Sequence, residues 1–332
     1  MRVLVAGGAG YIGSVTIERL LESGHDAVVV DNLSRGYRDA VPEGVPFIQA
    51  DLADRAALCR VLATHHVDAV LHLAALALVG ESMAQPGLYF RNNFTGGLSL
   101  LDAMTESGVS KIVFSSTCAV YGEPTRVPLE ESDPLEPTNP YGESKLMFER
   151  ALRWYHRAHG LRYVSLRYFN AAGATPRHGE RHDPETHLIP LVLQVAAGLR
   201  PAVTVFGTDY PTPDGTCIRD YIHVADLAAA HVLALEALQA GRHGAEVYNL
   251  GCGGAGYSVR QVIDTAREVT GREIAVEEGP RRAGDPAKLV ASSHRVRRDL
   301  GWEPRHQDLR AIIESAWSWM QESASRGRTF AS

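Results

Sequence analysis

The first half of the chain alternates short apolar runs with longer amphipathic stretches. Arg2–Ala6, Ala27–Val30, Phe47–Ala50, Val67–Leu71, Lys111–Phe114 and Tyr163–Arg167 read as strands. Their apolar residues are almost uninterrupted, the pattern of strands covered on both faces in a parallel sheet. Between them Ser14–Ser23, Arg55–His65, Leu88–Ser107 and a stretch from Tyr141 to about His159 read as helices. Strand and helix in turn predict an α/β fold, a Rossmann-type doubly wound parallel sheet. After Asn170, proline, glycine and acidic residues increase through Thr175–Glu185 and Gly207–Gly215, which reads as a loop-rich second lobe. Residues 1–169 are expected to form the sheet lobe, with a segment near 215–250 packing back on it, and 170–332 mainly the smaller lobe. The Ala/Ser/Arg-rich end from Glu322 to Ser332 looks frayed.

In such sheets ligands bind beyond the carboxyl ends of the strands. Those ends are Gly7–Gly13, Asp31, Asp51-Leu52, Leu73–Ala75, Ser115–Thr117 and Tyr168–Asn170, which should line one crevice. The first strand runs straight into Gly7-Gly-Ala-Gly10-Tyr11-Ile12-Gly13 and then a helix. Glycines at this spacing allow a tight turn, close backbone approach to a pyrophosphate and close helix–strand packing, and the helix N-terminus favours phosphate. The second strand ends in Asp31, eighteen residues past Gly13. An acidic side chain there accepts hydrogen bonds from ribose hydroxyls and repels a 2′-phosphate, so NAD is expected and not NADP, although Arg35 and Arg38 follow nearby.

Tyr141-Gly-Glu-Ser-Lys145 can be read as chemistry. Asn139 looks like an N-cap with Pro140 at the first helical position, which puts Tyr141 and Lys145 one turn apart on one face. A tyrosine titrates at about 10, too high for a base near neutrality, and an adjacent ammonium stabilises its phenolate. Such a tyrosine becomes a proton shuttle for a hydroxyl group.

Composition narrows the classes further. In 332 residues, 45% hydrophobic and 22% charged, a full core can form, and a net charge of −6 with no Lys/Arg stripe argues against nucleic acid as a partner. No apolar run approaches the ~20 residues of a membrane span, and the chain enters strand and loop directly, leaving no room for a signal peptide. The scattered Cys59, Cys118, Cys217 and Cys252 suggest reduced thiols in a cytoplasm and no disulfide framework. The His178–His187 stretch matches no established ligand spacing, and no metal is expected.

Taken together, Gly7–Gly13, Asp31-Asn32-Leu33, Ser115-Ser116-Thr117, Tyr141–Lys145 and Arg167-Tyr-Phe-Asn170 resemble the extended short-chain dehydrogenase/reductases. Val79–Ser82, Asp209–Thr212, Arg219–Val224, Tyr248–Gly251 and Arg282-x-Gly-Asp285 narrow the resemblance to the UDP-glucose (UDP-galactose) 4-epimerase family, to about Trp319. The resemblance implies a UDP-hexose substrate, retained oxidised NAD and a transient 4-keto sugar. Tyr141 would act as acid and base, Thr117 would hydrogen-bond the same sugar oxygen, and Lys145 would hold the nicotinamide ribose and keep the tyrosine pKa low, aided by the positive charge on oxidised nicotinamide. NAD would be held by Gly7, Gly10, Tyr11, Ile12, Gly13, Asp31, Asn32, Asp51, Leu52, Leu73, Ala74, Ala75, Asn92, Tyr141, Lys145 and Tyr168. The substrate would meet Thr117, Asn170, His187 and Leu188, with Arg219 and Arg282 on its phosphates. Asp285 would meet the uridine ribose, Thr204 and Phe206 would flank the uracil, and Leu289 would sit beside the sugar. A homodimer is implied, built on the Leu88–Ser107 and Tyr141–His159 helices through Leu98, Leu101, Met147, Leu152 and Trp154.

Three positions depart from the family pattern. Ala77 stands where some members carry Lys, His187 where some carry Asn, and Leu289 where hexose-restricted members carry a bulky aromatic. Sugar choice among hexose, N-acetylhexosamine, uronate and pentose is therefore open. A 4,6-dehydratase or a decarboxylase would need an acidic group beyond Thr117, where this chain has Cys118-Ala119. A non-catalytic NAD-binding regulatory protein is disfavoured by the presence of Thr117, Tyr141 and Lys145 together.

Overall fold

The computed structural model describes residues 1–282 and 285–325. Ala283 and Gly284 of the Arg282–Asp285 motif, and 326–332 of the terminal stretch, lie outside the described residues. The chain begins β1 (Arg2–Ala6), α1 (Tyr11–Glu22), β2 (Asp26–Asp31), β3 (Phe47–Gln49), α2 (Arg55–Thr64) and β4 (Ala69–His72). Then come the short helices α3 (Val79–Ala84) and α4 (Pro86–Tyr89), followed by α5 (Gly96–Glu106), β5 (Lys111–Thr117), α6 (Pro140–His159) and β6 (Arg162–Tyr168). The remainder is β7 (Asn170–Ala172), α7 (Leu188–Ala196), β8 (Val203–Phe206), β9 (Ile218–Arg219), β10 (Tyr221–His223), α8 (Val224–Gln239), β11 (Ala245–Leu250), β12 (Tyr257–Ser258), α9 (Val259–Thr270), β13 (Val276–Gly279), β14 (Lys288–Leu289), α10 (His294–Leu300) and α11 (Leu309–Ser325).

Seven strands form one sheet in the order β11-β6-β5-β4-β1-β2-β3, every pair parallel. This is the Rossmann-type α/β fold. The order reverses direction at β1, where helices leave opposite faces and a crevice opens beyond the strand ends. One core, with Val5, Ile17, Val29, Leu227 and Leu235, lies under α1 and α8. A second, with Leu4, Leu58, Val70, Leu101, Phe114 and Phe148, fills the other face. A third joins α7, α9 and α11 around Ile189, Val262 and Ile313. Burial of these side chains contributes roughly 1.5–3 kcal/mol each.

The structure departs from the sequence pattern in four places. Helix α1 starts at Tyr11 and not Ser14, because Gly10 in extended backbone is its N-cap and Gly13 falls within the first turn. The Leu88–Ser107 stretch is helical but contains a π-helical segment, Phe90–Thr95, between α4 and α5. Within that wider turn Asn93 faces inward and takes both backbone groups of Leu76, accepting from N at 2.8 Å and donating to O at 2.9 Å. Leu101 and Leu152 are 0% exposed and cover the sheet, so they cannot also serve an interface. The terminal stretch remains helical to Ser325, anchored by Trp319 and Met320.

Candidate functional site

At the carboxyl end of β1 the chain turns at Gly7, whose φ is +84°. A Cβ there would lie 2.5 Å from the Ala74 nitrogen, and one on Gly13 would lie 2.2 Å from the Gly7 carbonyl oxygen. Side chains are thus shut out of the space between the loop and the start of α1, leaving backbone to face a ligand. Asp31, at the end of β2, is braced for the same ligand. One carboxylate oxygen accepts from the Ala9 N–H at 3.0 Å and the other from the Leu33 N–H at 2.8 Å. Burial raises its pKa, against these two bonds. Each oxygen keeps a lone pair for a ribose hydroxyl. Arg35 is engaged elsewhere: its guanidinium donates to Glu81 at 2.9 Å and to the Asp183 carbonyl at 2.5 Å. Asn32 donates to Asp51 at 2.8 Å. The glycine cradle and the doubly braced carboxylate fit a dinucleotide carrying a free 2′-hydroxyl.

Helix α6 begins as its sequence predicts, with the Asn139 side chain accepting from the Gly142 N–H at 2.9 Å and Pro140 at its first position. Tyr141 and Lys145 emerge on the face towards β5. Lys145 is 4% exposed; its ammonium donates to the Ser115 carbonyl at 2.7 Å and lies 4.9 Å over the Phe114 ring. Burial pushes the Lys145 pKa down to about 7, against the pull of Glu149. Tyr141 is driven well above the usual phenol value, first by burial and then by neighbouring Tyr168, while a hydrogen bond with Thr117 acts the other way. Lys145 is therefore not enough by itself to hold this tyrosine low, which agrees with the expectation that the charge of oxidised nicotinamide assists it. Without a further positive charge Tyr141 is a neutral phenol, able to donate a proton but not accept one. Thr117 ends β5 and accepts from the Ala119 N–H at 3.2 Å, and Tyr168 hydrogen-bonds Ser115 across the β5–β6 pair.

The other lobe supplies the remaining groups. Arg219, on β9, pairs with Asp285 and is 11% exposed, so it is a partly buried cation lining the cavity and not a surface ion pair. The Arg282 guanidinium stacks 4.0 Å over the Phe206 ring. On β8, Val203 and Val205 face the core while Thr204 and Phe206 are partly exposed, which answers the period-two pattern of a strand. Leu289 is in register with Arg219 across the β14–β9 pair. Asn170 donates to the Asp220 carbonyl at 3.0 Å.

All these residues line one continuous cavity of about 1200 Å³ between the sheet and the loop-rich lobe. The lining contains Gly7, Gly10, Tyr11, Ile12, Gly13, Asp31, Asn32, Asp51, Leu52, Leu73, Ala74, Ala75, Asn92, Thr117, Tyr141, Lys145 and Tyr168. It also contains Asn170, His187, Leu188, Thr204, Phe206, Arg219, Arg282, Asp285 and Leu289. Every residue to which the sequence assigns a catalytic, cofactor or substrate contact lies on this lining. The same wall carries Cys118, Tyr221, Glu180, His182 and Glu185, to which the sequence reading assigned no role. The place of Cys118 directly after Thr117 at a strand end is the signal that could have found it; the others come together only through folding.

The profile of the NAD dependent epimerase/dehydratase family matches residues 3–251. A UDP-glucose 4-epimerase of Halalkalibacterium halodurans is 54% identical over 325 residues, which is 97% of this chain and 96% of that relative. Among solved structures, a UDP-glucose 4-epimerase from Brucella ovis in complex with NAD superposes with a TM-score of 0.93 at 47% identity, covering 96% of this chain and 97% of that one. One from Bifidobacterium longum in complex with NAD+ and UDP gives a TM-score of 0.92 at 38% identity, covering 98% and 99%. With a family match across most of its length and relatives of this identity over nearly all of it, the chain belongs to the NAD dependent epimerase/dehydratase family.

Proposed function

We propose that the chain catalyses the NAD-dependent 4-epimerisation of a UDP-hexose, interconverting UDP-glucose and UDP-galactose through a transient 4-keto sugar. The observation that carries this reading is a single cavity. It joins a dinucleotide cradle, the Thr117–Tyr141–Lys145 cluster and the cations Arg219 and Arg282. Relatives over nearly the whole length bear the same activity in their names.

In this reading the loop from Gly7 to Gly13 and the N-terminus of α1 hold the pyrophosphate of NAD, Asp31 its adenosine ribose, and Lys145 and Tyr168 its nicotinamide half. When bound, NAD supplies the acceptor and donor of hydride at C4 and a positive charge beside Tyr141. Beside that charge Lys145 would lower the cost of the phenolate, so that Tyr141 would accept the 4-hydroxyl proton and later return it. Thr117 orients the same oxygen. Arg219 and Arg282 grip the diphosphate, where guanidinium forks suit anionic oxygens, and the Arg219–Asp285 pair must open or share its charge to do so. Because the same cofactor would both accept and donate the hydride, the reaction would have no net oxidation and NAD would have no need to leave.

Residues 1–169, with the segment near 215–250, are assigned to the NAD lobe, and the rest mainly to the nucleotide-sugar lobe. The chain is inferred to be a cytoplasmic homodimer. Support comes from free cysteines throughout and from Trp154, 64% exposed on α6; no helix among the described residues is long and apolar enough to cross a membrane. Sedimentation of the purified chain tests the dimer.

The deciding assay incubates the purified chain, with no NAD added, with UDP-galactose and separately with UDP-N-acetylgalactosamine, and separates the 4-epimers by chromatography. Turnover of UDP-galactose alone supports a hexose enzyme with retained NAD. Turnover of both makes Leu289 a permissive neighbour of the 2-substituent. Failure of both, even with NAD supplied, overturns the hexose reading and directs the assay to UDP-uronates and UDP-pentoses.

A further inference from the structure

Between β7 and α7 the chain reads Glu180-x-His182-x-x-Glu185-x-His187. Counted by histidines alone this spacing matches no metal motif, yet folding brings two carboxylates and two imidazoles to one point. Glu180 Oε1 lies 2.8 Å from Nδ1 of His182 and 2.8 Å from Nδ1 of His187, and Glu185 Oε1 lies 2.9 Å from the same His187 nitrogen. One donor atom from each of the four residues falls within 4.8 Å of all the others. Around a tetrahedral ion bound at about 2.0–2.2 Å, neighbouring ligand atoms sit about 3.4 Å apart, which is within the reach of small side-chain adjustments here.

Three further observations favour a cation. The Glu180 and Glu185 side chains are only 7% and 3% exposed, and neither pairs with a lysine or arginine among the described residues. Two buried carboxylates are costly unless compensated, and among the described residues only the two imidazoles do so: against the effect of burial, Glu180 and Glu185 push the His187 pKa well up, a role a bound cation would take over. The loop is also fixed before any ion arrives. Arg181 forks onto Asp39 at 2.6 and 3.1 Å, Arg35 holds the Asp183 carbonyl, and the Glu185 oxygen accepts from the backbone N–H groups of Thr186 and His187. Finally, all four residues line the open cavity, which gives an ion a path in.

We propose that Glu180, His182, Glu185 and His187 form a binding site for a divalent transition-metal ion of the zinc class. Two imidazoles and two carboxylates suit zinc better than calcium or magnesium, which prefer all-oxygen shells. Four protein ligands leave no open position, so the ion is structural: it fastens the 180–187 loop beside Tyr11, whose ring meets His182 edge-on at 6.3 Å.

The test uses the full chain without an affinity tag, stripped with chelator, dialysed and titrated with zinc chloride against a chromophoric chelator. The expected result is one tightly bound zinc per chain and, with cobalt(II) in its place, the visible bands of a four-coordinate site. His182→Gln and Glu185→Gln should each weaken zinc at least about tenfold and remove those bands, while His178→Gln, outside the cluster, should do neither. X-ray absorption on the zinc-loaded native chain serves if a variant misfolds. A shell of two imidazole nitrogens and two oxygens supports the site, and any other shell overturns it. No zinc on the folded native chain, or binding unaffected by the two substitutions, also overturns it and leaves a hydrogen-bonded histidine–carboxylate network. None of these readouts depends on turnover of a sugar nucleotide, so they stand apart from the catalytic reading.

Discussion

Arg167 and Glu149 face each other as a two-armed ion pair between β6 and α6, with Nε to Oε1 at 2.9 Å and Nη2 to Oε2 at 2.6 Å. Both side chains are 3% exposed, and Ser116 of β5 donates to the same carboxylate at 2.6 Å. One turn earlier on α6 stands Lys145, and one residue later on β6 stands Tyr168. The pair thus fixes the helix carrying the acid–base tyrosine against the strands that supply its neighbours. Arg167→Met strands a buried carboxylate and should cost roughly 3–5 kcal/mol. Adding Glu149→Leu should recover much of that loss, because the uncompensated charge is gone. Urea unfolding of the two variants checks the order.

Tyr141→Phe removes the phenolic proton carrier and little volume. Turnover of UDP-galactose should fall by about 10²–10⁴, while binding of UDP, measured by calorimetry, should stay within a few-fold. A loss of binding comparable to the loss of rate would move Tyr141 out of the proton-transfer role.

Lys145 makes a claim about pH. Its folded pKa, pushed down to about 7, lies below the ordinary 10.5. Between these values the unfolded chain binds more protons than the folded one, so this residue makes stability rise with pH across that window. Below pH 7 the whole cost of burying the ammonium is present. Stripped of cofactor, Lys145→Met should be more stable than the native chain at pH 6 by on the order of a few kcal/mol, though inactive. The gap should narrow towards pH 10; equal pH slopes for the two proteins would refute the assignment.

Cofactor choice rests on two residues. Asp31→Ser should weaken NAD by about 1–2 kcal/mol through lost ribose bonds without admitting NADP, because Arg35 is committed to Glu81 and the Asp183 carbonyl. Asp31→Ser with Glu81→Ala should free one arm of Arg35, leaving its hold on the Asp183 carbonyl, and bring measurable NADP binding. Fluorescence titration with both dinucleotides distinguishes the cases.

The strands of the first half were legible because each is a short apolar run, and β1, β2, β3 and β5 are closed at the ligand end by glycine, aspartate or serine. Tyr141 and Lys145 were legible because an N-cap and a proline set the helical phase in front of them. Other features have no local signal. Arg167 meets Glu149 through the sheet, and β7, β9, β10 and β14 are two or three residues long with no run to mark them. The π-helical turn answers a tertiary demand, the Leu76 backbone bonded by Asn93. The poise of Tyr141 needs more than its spacing from Lys145: burial raises a phenol and depresses an ammonium together, so a second positive charge has to stand beside them.

The return of β11 to the edge of β6 has a consequence for how the molecule comes into being. Ala245–Leu250 closes the sheet only after β7, α7, β8, β9, β10 and α8 have been laid down. During synthesis the hydrogen-bonding edge of β6 therefore waits, bare, for a partner some seventy-five residues downstream. An amino-terminal fragment ending near Tyr168 would keep that edge open and tend to self-associate. The protein is best regarded as one cooperative unit whose central sheet is finished late, by chain that has already travelled through the other lobe.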